Sequence, residues 1–185
     1  MAMYGIIPKF LVRWNSSMSR CICSPDMMEA GPYGVVDPIL DRDEGIARMQ
    51  WSDEKKRASM SDMKAIESFF DVQLPTLYID VQLQHHGARP RPTRFNTDLR
   101  TGAAIKSFLP VTKEYTINVF AVSSWLSGRI GTNMIPFAGD SAGNYLCLYY
   151  QYRQGEPVVV FWNHEKEYTY EFVADSFGEF LGLLY

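Results

Sequence analysis

The segment Phe137-Ala138-Gly139-Asp140-Ser141-Ala142-Gly143-Asn144-Tyr145-Leu146-Cys147-Leu148, FAGDSAGNYLCL, contains Gly-x-Ser-x-Gly. A serine nucleophile on a sharp elbow needs a strand before the serine and a helix after it. Here the serine leads into Asn144-Tyr145-Leu146-Cys147-Leu148-Tyr149-Tyr150, a bulky, aromatic run that prefers a strand. The segment therefore predicts strand–turn–strand. Gly139 and Gly143 are expected to supply the positive φ of the turn, and Asp140 and Asn144 to bond their own backbone.

A catalytic serine also needs an imidazole and an acid to orient it. Ser141 with Glu156 and His164, or with His86 and Asp98, would meet two known chain orders, and Gly-Asp-Ser-Ala-Gly is superficially similar to trypsin-like proteases. Yet Gly143 is not preceded by glycine, no Ala-Ala-His-Cys segment surrounds His86, and 185 residues are too few for a double barrel. The serine is read as a turn residue and the chain as a non-enzyme. A small serine hydrolase using Ser141 is the least favoured alternative.

Outward from this hairpin, Met134 to Ala138 forms the preceding strand. Tyr145 to Tyr152 is apolar on both faces and reads as a central strand. Pro157 to Trp162 (PVVVFW) is the next strand, Asn163 to Lys166 a turn, and Glu167 to Phe172 a half-exposed strand. Ser176 with Glu179 is a capping box for a closing helix that buries Phe177, Phe180, Leu181 and Leu184.

Upstream, Ser61 is the expected N-cap of a helix carrying Met63, Ile66, Phe69 and Phe70 on one face. Pro75 is expected at the first position of a second helix, with a stripe of Leu74, Leu77, Tyr78 and Val81 and a left-handed end at Gly87. Alternating prolines hold Arg89 to Arg94 extended. Phe95, Ile105, Phe108 and Leu109 read as short strands, and residues 115 to 127 as a helix with Ile117, Phe120, Ala121 and Ser124 on its face. The sum is an α+β fold, an antiparallel sheet flanked by N-terminal helices and a C-terminal closing helix. Residues 1–50, broken by proline and glycine, are expected to form an irregular extension packed on a domain spanning 51–185.

Apolar residues make up 46% and charged residues 21%, a globular composition. A net charge of −3 disfavours wholesale nucleic-acid binding. From Arg89 to Arg129 seven Lys and Arg face Asp98 and Glu114, whereas from Gln154 onward six acids face one lysine. Such an acidic end can recruit a basic partner. Three cysteines without a Cys-x-x-Cys spacing argue against a disulfide framework and a zinc site. No run approaches the roughly 20 apolar residues of a membrane span. A cytoplasmic protein without cofactor or metal is expected.

Four segments line up in order: Leu74-Pro75-x-x-Tyr78 running to His85-His86-Gly87; Ile135 to Leu148 (IPFAGDSAGNYLCL); Val160-Phe161-Trp162-Asn163-His164-Glu165; and Val173 to Leu181 (VADSFGEFL). Over residues 51 to 185 this resembles the SUKH superfamily, domains similar to the yeast cell-wall assembly regulator. Two departures are His85-His86-Gly87 in place of the common Asn-Gly-Gly, and Gly178 where an acid is usual. The resemblance implies an α+β fold without enzymatic activity. It also implies a role as an immunity protein that binds and occludes a cognate bacterial toxin, possibly a nuclease. The alternative it implies is an intracellular scaffold or regulator.

Pro75, Gly87, Gly139, Gly143, Asn144, Trp162, His164 and Ser176 are the positions of structural motifs, and His164 is expected to bond across to the hairpin. The expected toxin-binding face joins Glu165, Glu167 and Glu171 to Asp140 from the adjacent turn. Glu167 and Glu171 share strand parity, and together these acids would meet a basic toxin surface.

Overall fold

Phe137 sits where the main sheet changes register. In a computed structural model, which describes residues 49–152, 155–166 and 169–185, Pro136 pairs with Cys147 but Ala138 pairs with Leu146, so Phe137 is the bulged residue. The bulge turns its ring into the core. There it meets Tyr78, Phe108, Phe177 and Phe180 edge-on, with ring centroids 5.5 to 6.1 Å apart.

The sheet holding this bulge has five antiparallel strands in the order β5(Ser107–Phe108), β6(Met134–Gly139), β7(Tyr145–Tyr149), β8(Val158–Trp162) and β9(Tyr170–Ala174). β7 is central, as its two apolar faces require. Two short antiparallel pairs stand apart: β1(Gln50–Ser52) with β2(Arg89–Arg91), and β3(Arg94–Phe95) with β4(Ala103–Ala104). The described residues lie in one compact unit. The extension expected at residues 1–50 falls outside them, apart from its last two residues.

Helix α1(Met60–Phe70) starts two residues earlier than the sequence suggests. Ser59 caps it, because Asp62 reaches back to the Ser59 N–H at 2.8 Å and completes the box, whereas the Ser61 hydroxyl only bonds that of Ser59. The Ser59 bonds hold the Asp62 carboxyl below its ordinary range. Met63 and Ile66 face inward as expected, but Phe69 is exposed and stacks edge-on against Phe70 and Phe120. A six-residue offset from Met63 takes it about 120° away from the buried stripe.

Helix α2(Thr76–Gln84) has Pro75 as its cap, one position ahead of the expected one. Its buried Gln82 donates to Tyr78 and to the Leu109 carbonyl and accepts from the Gly87 N–H, so a polar side chain ties the helix to the next loop. Gly87 takes φ +60°, and an added Cβ would lie 2.8 Å from the Lys55 side chain.

Helix α3(Val119–Trp125) confirms the helical reading of residues 115 to 127 in a different register. Asn118 caps it through the Ala121 N–H, and Val119, Val122 and Leu126 are the buried stripe. Ile117 is exposed instead. Helix α4(Phe177–Gly182) closes the core on Phe177, Phe180, Leu181 and Leu184, with Ser176 as cap. Glu179 reaches back to the Asp175 N–H, one residue before the cap. No helix among the described residues is long and apolar enough to cross a membrane.

Candidate partner-binding site

The Gly-x-Ser-x-Gly segment is a strand–turn–strand. β6 ends at Gly139, β7 begins at Tyr145, and Asp140 N–H donates to the Asn144 carbonyl between them. One carboxylate organises the turn. Asp140 Oδ1 accepts the N–H groups of Ala142 and Asn144, both at 2.8 Å, and Oδ2 accepts the Asn144 side-chain amide at 2.6 Å. Gly143 supplies the positive φ, at +94°. Gly139 does not. It is an ordinary β6 residue paired with Tyr145, and what it provides is room, since an added Cβ would meet the Tyr145 ring at 3.3 Å. Ser141 is exposed at the tip.

The turn is locked to the end of β8. Asn144 Oδ1 accepts from the His164 N–H at 3.0 Å and lies 2.9 Å from His164 Nδ1, the cross-hairpin bond that the sequence leads one to expect. Arg129 donates to the His164 carbonyl and lays its guanidinium 5.0 Å above the Trp162 ring. Trp162 is thereby buried between Arg129 and Tyr145, whose ring stacks on it at 6.3 Å. The other two histidines are engaged as well. His85 bonds Glu54, and the buried His86 bridges the Lys56 carbonyl and the Val111 N–H.

The four acids expected to form one face separate. Glu171 is a correction: it is 6% exposed and points into the protein. It pairs with Phe161, which pairs with Leu146, so Glu171 belongs to the inward row of the sheet. Thr97 donates its hydroxyl to Glu171 Oε2, and Arg100 Nε lies 3.5 Å away while its guanidinium covers the Phe161 ring. The outward positions of β9 carry Tyr170 and Phe172 instead, 44% and 40% exposed. The strand alternates as expected, with the opposite parity facing solvent. Glu167 lies outside the described residues. Glu165 is exposed beside the turn, and Asp140 is half-buried within it.

Next to the motif hairpin lies a cleft of about 340 Å³. Ser107, Phe108 and Leu109 from the β5 edge form one wall, and Tyr115 to Ile117 form another. Gly139, Asp140 and Tyr145 of the hairpin, with Lys55 and Lys106, complete it. Burial first, then the charges of Asp140 and Cys147, raise the Tyr145 hydroxyl above its ordinary pKa. The cleft draws on segments far apart in sequence, and no local pattern announces it. Among the described residues no group of three or more His, Cys, Asp or Glu is placed to hold a metal.

A family model described as SUKH_6, SMI1-KNR4 cell-wall, matches residues 61–181. The match therefore spans the hairpin, its lock to β8 and all of the cleft but Lys55. No curated protein matches the chain.

Proposed function

The chain belongs to the SMI1-KNR4 cell-wall family of the SUKH superfamily, and on that premise we propose that it is an immunity protein. It binds a cognate bacterial toxin in the cytoplasm and neutralises it by occlusion, without catalysis. The observation that carries this reading is how the motif residues are used. Asp140, Asn144, His164 and Trp162 are consumed in bracing one turn, while the cleft beside that turn is left open. Occlusion needs a rigid shape and a few buried anchors, and no activated nucleophile. The acid-rich end of the chain, with Glu165 beside the turn, attracts a toxin with a basic surface and speeds its approach.

The test is co-expression with the product of the neighbouring gene. Rescue of growth together with co-purification of a stoichiometric complex is the expected result. Toxicity that persists, with no complex recovered, refutes the reading. The family description favours a second reading, an intracellular scaffold or regulator of the cell-wall type. Capture of a host cell-wall assembly factor, with no effect on the toxicity of the neighbouring product, distinguishes it.

A further inference from the structure

We infer that the cleft beside the motif hairpin receives an acidic segment of a partner protein, with one apolar side chain against Ile117 and Tyr145 and a neighbouring carboxylate facing Lys55 and Lys106. The apolar part of the argument is geometric. Ile117 is 55% exposed where it lines the cleft, so an apolar side chain placed there would cover it. At about 340 Å³ the space is at the lower end for a small-molecule pocket, and suits side chains of a segment better than a large cofactor.

The charge argument comes from what the local ions already do. Lys56 is paired with Glu114 at 3.0 Å, which uses the acid nearest in sequence to Tyr115. Lys55 has only the face of Tyr115, 6.0 Å from its ammonium, and Lys106 is exposed. Neither has a carboxylate partner among the described residues. Asp140 also lines the cleft; its two oxygens already accept three N–H groups within the turn, although its charge still reaches Tyr145. The cleft thus sets two lysines against one carboxylate, a net positive charge over an apolar floor. With Glu165 beside the same turn, a partner meets both signs of charge close together, which fixes its register as well as its affinity.

This inference rests on the proposed function only in taking the occupant to be a protein segment. The isotopically labelled full chain is titrated with three probes: acetyl-Glu-Leu-Asp-Phe-Glu-amide, its counterpart with lysine at every acid, and a short oligothymidylate. The expected result is saturable shifts at the amides of Lys106, Ser107, Gly139 and Tyr145 with the acidic peptide, and binding at least about tenfold weaker with the other two. The double substitution Lys55→Glu, Lys106→Glu, on the exposed rim, should reverse the preference between the peptides. No localised shift, equal response to both peptides, or stronger response to the oligonucleotide overturns the inference. Failure here leaves the toxin reading standing, since growth rescue is scored independently. Failure of rescue with a positive titration leaves the cleft standing as a docking site for some other protein.

Discussion

His164 and Asn144 are joined twice through one atom: Asn144 Oδ1 accepts the His164 backbone N–H at 3.0 Å and stands 2.9 Å from His164 Nδ1. The Asn144 amide nitrogen faces the Asp140 carboxylate, so its orientation is fixed and Oδ1 must be the acceptor. His164 Nδ1 therefore carries a proton. Two segments separated by 20 residues are fastened by three side chains, Asp140, Asn144 and His164.

Truncating the middle member should be the most damaging single change in this chain of bonds. Asn144→Ala leaves the His164 N–H and one Asp140 oxygen without their protein partners, at a cost of about 1 to 3 kcal/mol. Urea unfolding followed by tryptophan fluorescence measures it. A loss under about 0.5 kcal/mol would mean that water replaces the amide and the lock is cosmetic.

Glu171 offers a sharper test, because its two possible placements predict opposite results. On a solvated face, Glu171→Ala would be close to neutral. In the buried row it removes the acceptor of the Thr97 hydroxyl and the only carboxylate paired with Arg100 among the described residues, and should destabilise by about 1 to 3 kcal/mol. It should also loosen the turn in which the Leu99 and Arg100 N–H groups bond Thr97 Oγ1. Faster hydrogen exchange at those two amides, with unchanged exchange in β7, is the expected signature.

Glu171 also marks where the sequence stops being legible. The hairpin could be read because Tyr145-Leu146-Cys147-Leu148-Tyr149 has strong strand preference and glycine and asparagine bound the turn. The closing helix could be read because Ser176 and Glu179 cap a clean apolar stripe. β9 has alternation too, but alternation gives two parities without saying which one is buried. The choice is made by Phe161 and Leu146 on neighbouring strands and by Thr97 and Arg100 from a distant loop. The helix at Val119–Trp125 failed in the same way, with type read correctly and face misplaced. The cleft was invisible for a related reason: Lys55, Lys106, Ile117 and Tyr145 become neighbours only through tertiary packing.

Cys147 lies at the middle of the central strand with no exposed surface, and burial alone pushes its thiol pKa far up. A thiol is nucleophilic only as thiolate. In a Cys21→Ser, Cys23→Ser background, Cys147 should resist Ellman's reagent at neutral pH and react only as fast as the domain opens. Raising urea toward the unfolding midpoint should accelerate labelling in step with the unfolded fraction. Rapid labelling under native conditions would mean that β7 is not the sealed centre of the sheet.

Ser141 should be dispensable for chemistry. It is exposed at the tip of a strand–turn–strand, and each of the three imidazoles bonds another group. Fluorophosphonate should leave the protein unlabelled, and Ser141→Ala should change stability by less than about 0.5 kcal/mol. Labelling of the native protein that disappears in Ser141→Ala would reinstate the hydrolase.

Tyr170 and Tyr149 connect the exposed edge of the sheet to alkaline pH. Their rings sit 5.1 Å apart, and burial, followed by the hydrogen bond and charge of Tyr149, pushes the Tyr170 pKa up to about 12. Folding thus favours the protonated phenol. Its contribution to stability is complete below the ordinary tyrosine value near 10 and is lost as pH rises through about 12. Phenolate absorbance at 295 nm should therefore still be rising near pH 12, where Tyr170 ionises. Tyr170→Phe should remove a component from that late rise. Loss of signal well below that pH instead would place Tyr170 in ordinary solvent and dissolve the Tyr149 pairing.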